Sequence, residues 1–193
     1  MLDTMIGPYR IVRKISQGGM GVVYEARHDA IERRVAIKVL HADLSANQEV
    51  VSRFFNEAKA VNRIDHPGIV QCHDFGILAD GTAFIVMEYL KGETLSRRSR
   101  RMHDRMPLAD IMRLVRQIAA ALTAAHAKNI VHRDLKPDNI MVISDQEISG
   151  GGAHQAARFR DCQASSDRWR FDAGGDQGGC TTWHTRVHVT RAV

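Results

Sequence analysis

The sequence predicts an α+β fold: an antiparallel sheet of five strands with one helix, followed by a mainly helical region. Two observations carry that reading. Residues 9–15, 22–27 and 34–40 are short β-branched segments separated by Gly or polar residues, the pattern of an antiparallel meander. Further along, a long helix with one apolar face opens at Pro107, a residue suited to the first helical position.

The remaining elements follow in order. Over residues 48–64, apolar Val51, Phe54, Phe55, Ala58, Val61 and Ile64 recur at three- and four-residue steps, which predicts a helix, and His66, Pro67 and Gly68 stop it. Residues 68–77 and 82–89 complete the strands around the turn Ala79, Asp80, Gly81. A polar, Arg-rich stretch covers residues 93–105. In the helix that follows, Leu108, Ile111, Leu114, Val115, Ile118, Leu122 and Ala125 form a stripe that must bury against something, and Lys128 and Asn129 close it. Residues 130–143 read as a short strand, a polar loop and a second short strand.

Composition narrows the function classes. The 193 residues are 44% hydrophobic and 25% charged, enough for one domain with a real core and an appendage. A net charge of +5 without a long Lys/Arg run gives no reason to expect a nucleic-acid partner. Cys72, Cys162 and Cys180 are too few and too scattered for a disulfide framework, which favours a reducing, cytoplasmic setting. No run of eighteen apolar residues occurs, so no membrane segment is expected in this chain.

The chain changes character near Ile148. From Ser149 onward Leu, Ile, Lys, Glu, Met, Tyr and Pro vanish while Gly and Arg persist, and residues 149–193 have too few aliphatic groups to offset their ordering entropy. The expected organisation is a folded domain over residues 1–148 and a poorly structured tail over 149–193.

Three segments could do chemistry. In residues 15–24, glycines between two strands let backbone N–H groups approach anionic oxygens, although taken alone such a segment is more often an ordinary hairpin. Lys38, in the third strand, places an ammonium among small apolar neighbours; Glu57, on the following helix, can point at the same seam, although most such pairs in a sequence are coincidence. Residues 131–141 gather His132, Arg133, Asp134, Lys136, Asp138 and Asn139 between apolar flanks, a set that a merely solvated turn rarely collects.

Together these residues resemble the eukaryotic-type serine/threonine protein kinase family in its bacterial form, in order and spacing over about the first 148 residues. The resemblance implies a five-stranded antiparallel N-lobe over about 9–89, the start of a helical C-lobe over about 93–148, and ATP with Mg2+ in the cleft between them. It implies a flap of Ile15, Ser16, Gln17, Gly18, Gly19 and Gly21 over the phosphates, with Lys38 on the α- and β-phosphates and Glu57 as its partner. Asp134 matches the base that receives the substrate hydroxyl proton, and Asn139 a magnesium ligand. Lys136, followed by Pro137, matches the form of the loop directed at Ser and Thr of protein substrates. Met87 matches the residue behind the adenine pocket, and Glu88, Tyr89 and Leu90 the connection whose backbone binds adenine. Val23, Ala36 and Met141 would sandwich the purine, although each of these apolar positions, like Met87, could equally be ordinary core.

Two departures stand out. Ser16 replaces the first flap glycine, a tuning change that still permits a hairpin. More severely, no AspPheGly and no AlaProGlu follow Ile143. Losing the principal magnesium carboxylate typically costs ~10²–10³ in rate, so the chain as written is expected to be truncated and inactive or nearly so. The tail is compatible with a one-base shift near Gly150 to Gly152. ArgPheArgAspCysGln, at 158–163, admits codons that read AspPheGlyIleAla one base later, and residues 180–192 admit a reading that contains SerProGlu.

Two alternatives remain beside an active kinase. One is a non-catalytic nucleotide-binding pseudokinase or docking fragment that keeps Lys38 and Glu57. The other is a metal or nucleic-acid element built on Cys162, Cys180, His184 and His188, against which the absence of a CxxC pair speaks.

Overall fold

A computed structural model describes residues 3–103, 105–144 and 155–159. These divide into two compact units, one made by residues up to Lys59 together with Gln71–Tyr89, the other by Ala60–Val70 and the described residues from Leu90 on.

The first unit is a six-stranded antiparallel sheet. Its strands are β1 (Met5–Ile6), β2 (Tyr9–Gln17), β3 (Gly21–His28), β4 (Arg34–Leu40), β5 (Cys72–Ile77) and β6 (Ala83–Glu88), in spatial order β1-β2-β3-β4-β6-β5. The five expected strands are all present, and the two-residue β1 adds an edge to β2 that is too short to register as a periodic pattern. The fifth strand starts at Cys72 rather than residue 68, because Ile69 N–H closes a turn onto the His66 carbonyl at 2.9 Å. Period-two alternation then sorts the sheet's faces. Ile11, Ala26, Val35, Ile37, Val39 and Val86 close one core with Ile6. Val23 pairs with Lys38 and Ala36 with Met87, so these four project from the opposite face.

Helices α1 (Ala42–Ser45) and α2 (Gln48–Val61) follow β4. Asn47 caps the start of α2, its Oδ1 accepting the Glu49 N–H at 3.0 Å. The apolar steps read from the sequence bury Val51, Phe54, Ala58 and Val61.

The second unit holds β7 (Gly92–Thr94), α3 (Leu95–Arg101), α4 (Leu108–His126), a 3₁₀ turn at Pro137–Asn139, β8 (Ile140–Ser144) and β9 (Gln155–Phe159). Its core joins Ile64, Ile69, Leu114, Ala121, Ala125, Ile130, Ile140 and Val142. The Arg-rich stretch is a strand and a helix rather than only a polar run. Thr94 Oγ1 accepts the Arg97 N–H at 3.2 Å, and arginines are good helix formers even where no apolar period marks them. The α4 stripe is only partly covered: Leu114 and Ala125 are buried, Ile118 and Leu122 half-buried, and Leu108, Ile111 and Val115 exposed; Ala121, outside the stripe, is buried too. No strand forms at residues 130–132; Arg133 takes φ 55° and Asp134 N–H bonds the His132 carbonyl at 2.6 Å, a geometry no strand accommodates.

Within the tail, β9 pairs antiparallel with β8, Ile140 opposite Phe159 and Ser144 opposite Gln155. Five residues of the expected unstructured stretch thus form a strand, because β8 offers an edge with unpaired N–H and C=O groups. The proposed frameshift run at Gly150 to Gly152 and the candidate ligands Cys162, Cys180, His184 and His188 lie outside the described residues.

Candidate active site

In the first unit the glycine turn joins β2 to β3. Gly18 N–H donates to the Gly21 carbonyl at 2.9 Å, and the turn is tied to the chain after β4 by His41, whose Nε2 lies 3.0 Å from the Gly18 oxygen and whose N–H donates to the Met20 carbonyl at 2.9 Å. Gly21 is required for packing rather than for conformational freedom: a Cβ there would sit 2.1 Å from the Val39 carbonyl oxygen. Gly19, by contrast, has nothing within 4 Å of such an atom and faces open space. Ile15 and Ser16 are half-buried and Gln17 is exposed at the end of β2.

Beyond the turn, strand register aligns the expected nucleotide residues. Val23, Ala36, Lys38 and Met87 are all buried on one sheet face. Lys38 Nζ stands 5.6 Å from the centre of the Phe54 ring, and Glu57, one turn further along α2, is likewise buried. Both charges reach the Cys72 thiol, which is pushed up to about 12, first by burial, then by Glu57, against an opposing pull from Lys38. The connection after β6 is held through Glu88, whose N–H donates to the Gln71 carbonyl at 3.0 Å and whose Oε1 accepts the Gln71 N–H at 3.1 Å.

Sequence reasoning missed Glu25. It is buried on β3 opposite Ala36, and two arginines meet it, Arg13 at 2.6 Å and Arg34 at 3.3 Å. The same two grip Tyr89: Arg13 Nη2 donates to its hydroxyl at 3.1 Å, and the Arg34 guanidinium lies 4.6 Å from its ring centre. The signal was available, since Glu25 falls two residues after Val23 and period two puts both on one face.

In the second unit the structure brings Asp134, Lys136 and Asn139 together. Lys136 Nζ donates to Asp134 Oδ2 at 2.7 Å; Asn139 Nδ2 donates to the Asp134 carbonyl at 2.8 Å and to Oδ2 at 3.2 Å. Pro137 fixes the first position of the 3₁₀ turn, and Asn139 N–H closes it on the Lys136 carbonyl at 2.9 Å. His132 and Asn139 are buried, so the loop is anchored at both ends while Asp134 keeps about a third of its side chain exposed. Met141 is buried in β8, opposite Thr94 of β7, and Leu90 is half-buried.

The loop thus presents a carboxylate between an ammonium and an amide, in a chain that also buries a strand lysine and a helix glutamate. Residues 9–149 match the protein kinase domain, and the chain belongs to that family. It is 44% identical over 148 residues to the serine/threonine-protein kinase Pkn1 of Myxococcus xanthus, covering 74% of this chain and 20% of that protein. To the serine/threonine-protein kinase PknA of Mycobacterium tuberculosis it is 41% identical over 149 residues, covering 75% of this chain and 34% of that protein. The chain therefore spans about a third or less of the length of these relatives. The kinase domain of M. tuberculosis PknI superposes with a TM-score of 0.65 at 28% identity, over 83% of this chain and 62% of that one. The protein-kinase-like fold expected from the sequence, with its antiparallel sheet, is thus the fold of the family. Among the described residues no helix is long and apolar enough to cross a membrane.

Proposed function

We propose that the chain binds ATP with Mg2+ and carries the machinery for phosphoryl transfer to Ser or Thr hydroxyls of proteins, in a reducing, cytoplasmic setting and without a nucleic-acid partner. The observation that supports this best is the convergence of Lys136 and Asn139 on the Asp134 carboxylate. Asp134 accepts the hydroxyl proton as the substrate oxygen attacks the terminal phosphorus, the bond from that phosphorus to the bridging oxygen breaks and ADP leaves with its electron pair, and Lys136 spreads the charge on the transferring oxygens. Asn139 spends its amide nitrogen on Asp134, so its carbonyl oxygen, the hard donor that magnesium takes, accepts no bond among the described residues; that donor fits the ion. When bound, magnesium neutralises charge on the phosphates.

In this reading Lys38 holds the α- and β-phosphates and Glu57 orients it, under the turn formed by Ile15, Ser16, Gln17, Gly18, Gly19 and Gly21. Val23, Ala36 and Met87 supply apolar contact to the purine, and the backbone of Glu88 its polar edge. Because no AspPheGly occurs between residues 144 and 193, transfer is expected to be near background. That absence also favours a second reading, nucleotide binding without turnover.

Thermal unfolding with ATP, with and without magnesium, together with transfer of labelled phosphate to a generic protein substrate, tests both. ATP is expected to raise the melting temperature by mass action, with little label transferred. No stabilisation by ATP would sink the nucleotide reading, and brisk labelling would overturn the expectation of a near-silent chain.

A further inference from the structure

Residues 91–105 hold six cationic side chains, Lys91, Arg97, Arg98, Arg100, Arg101 and Arg105, against two acids, Glu93 and Asp104. Helix α3 arranges them. Arg97, Arg100 and Arg101 stand at i, i+3 and i+4 and so share a face, and all three are exposed. Arg98 turns inward beside Glu93, its Nη1 3.9 Å from Oε1. The Glu93 carboxylate is already committed: Arg101 meets it twice, Nη2 to Oε1 at 2.5 Å and Nε to Oε2 at 3.3 Å, and Glu93 is held below the usual carboxylate range chiefly by that pair. Arg97 lends Glu93 only a weaker, longer-range pull, and among the described residues neither Arg97 nor Arg100 forms an ion pair within 4 Å.

The helix's own electrostatics account for only part of this. Cations in the last turn, Arg98, Arg100 and Arg101, complement the negative end of the helix dipole. Arg97 sits in the first turn, where the dipole opposes a cation, and each like charge three or four residues away opposes it further. A face that gathers charge against its local stability is satisfied by anions from outside. Its location says which. α3 packs against the 3₁₀ turn Pro137–Asn139 and against β8, the elements that directly follow Asp134 and Lys136. Arg133, also exposed, adds a cation on the loop itself.

We infer that the Arg97/Arg100/Arg101 face is a docking surface for an acidic segment of the protein substrate, engaging Glu, Asp or phosphorylated side chains next to the phospho-acceptor. The inference rests on the kinase reading for the nature of the partner. α3 packs on the turn that directly follows Asp134 and Lys136, a neighbourhood that favours a protein over a membrane or a nucleic acid. Guanidinium forks suit carboxylates and phosphates, and the steering they exert is long-ranged and salt-sensitive.

The test uses the full chain and a fluorescein-labelled peptide in which one Ser is flanked by Glu residues, read by anisotropy at low and high salt. Arg97→Glu/Arg100→Glu is expected to weaken binding about tenfold, while Arg63→Glu/Arg116→Glu, the same change in net charge at exposed positions elsewhere in this unit, changes it little. A matching peptide with Lys in place of Glu is expected not to bind. Equal binding by the two double variants overturns the proposal, because the attraction then comes from net charge alone. Tighter capture of vesicles containing phosphatidylserine, or of a single-stranded oligonucleotide, than of the acidic peptide overturns it too. ATP-dependent thermal shifts of the same variants are expected to match wild type. If ATP stabilises none of the proteins while the peptide contrast persists, the kinase reading fails and the acidic-segment surface stands by itself.

Discussion

Lys38 and Glu57 are 5% and 6% exposed, whereas the side chains of Asp134 and Lys136 are 33% and 36% exposed. The two units therefore hold their polar groups by different means. In the sheet, backbone ladders fix where each side chain emerges: Lys38 is placed by pairing with Val23 on one side and Ile85 on the other. In the loop, position depends on individual side chains, with the amide of Asn139 spanning five residues to fasten Asp134. A ladder shares its constraint over many bonds, so changing one side chain alters chemistry more than geometry. A loop fastened by one amide loses both together.

The largest expected effect lies in the ladder's backbone. Gly21→Ala puts a Cβ against the Val39 carbonyl, with only backbone to yield, and breaks the pairing of Gly21 with Leu40 that starts β3. It is expected to cost about 2–4 kcal/mol in urea unfolding. Gly19→Ala, two residues away with open space around it, is expected to stay within about 0.5 kcal/mol of wild type. Similar losses from both would mean the turn, not the strand contact, sets the requirement.

Next come the side chains. Asn139→Ala removes both bonds to Asp134 and is expected to cost about 1–3 kcal/mol, with the magnesium dependence of ATP stabilisation lost as well. Lys38→Met is expected to abolish the ATP-dependent rise in melting temperature while far-ultraviolet circular dichroism keeps its sheet signature. The contrast blurs if Lys38→Met melts the sheet, or if Asn139→Ala leaves both stability and the magnesium response intact.

The same physics explains which features could be read from the sequence. Strand register places Val23, Ala36, Lys38 and Met87 on one face, although in the sequence Val23, Ala36 and Met87 stood out only through the family resemblance. Asp134, Lys136 and Asn139 were legible only as a motif, since their convergence depends on Arg133 in a left-handed conformation and on a 3₁₀ turn that no periodicity announces. Helix α3 was hidden because its Arg-rich face has no apolar stripe, and its start rests on a single Thr94 cap. Glu25 was overlooked because an isolated acid on a strand reads as solvated until two arginines from neighbouring strands are seen around it. Strand β9 owes its order to pairing with β8 rather than to its own composition, which is too poor in aliphatic groups to predict it.

The smallest effect is a response to pH in the turn that precedes β5. His66 Nδ1 accepts the Gly68 N–H at 2.9 Å, which an imidazolium cannot do, and partial burial lowers the pKa of His66 from 6.5 against a weaker opposing pull from Asp65. The unfolded chain therefore takes up the proton first. Stability from this bond is complete above 6.5 and is lost as pH falls through that value toward the lowered folded pKa. Solvent screening keeps the loss below about 1 kcal/mol. Melting curves at descending pH should show it, and His66→Asn, whose Oδ1 can accept the same N–H without titrating, should flatten that part of the profile. An unchanged slope in His66→Asn would assign the acid sensitivity to another imidazole, with His73, whose pKa burial also lowers from 6.5, the first to examine.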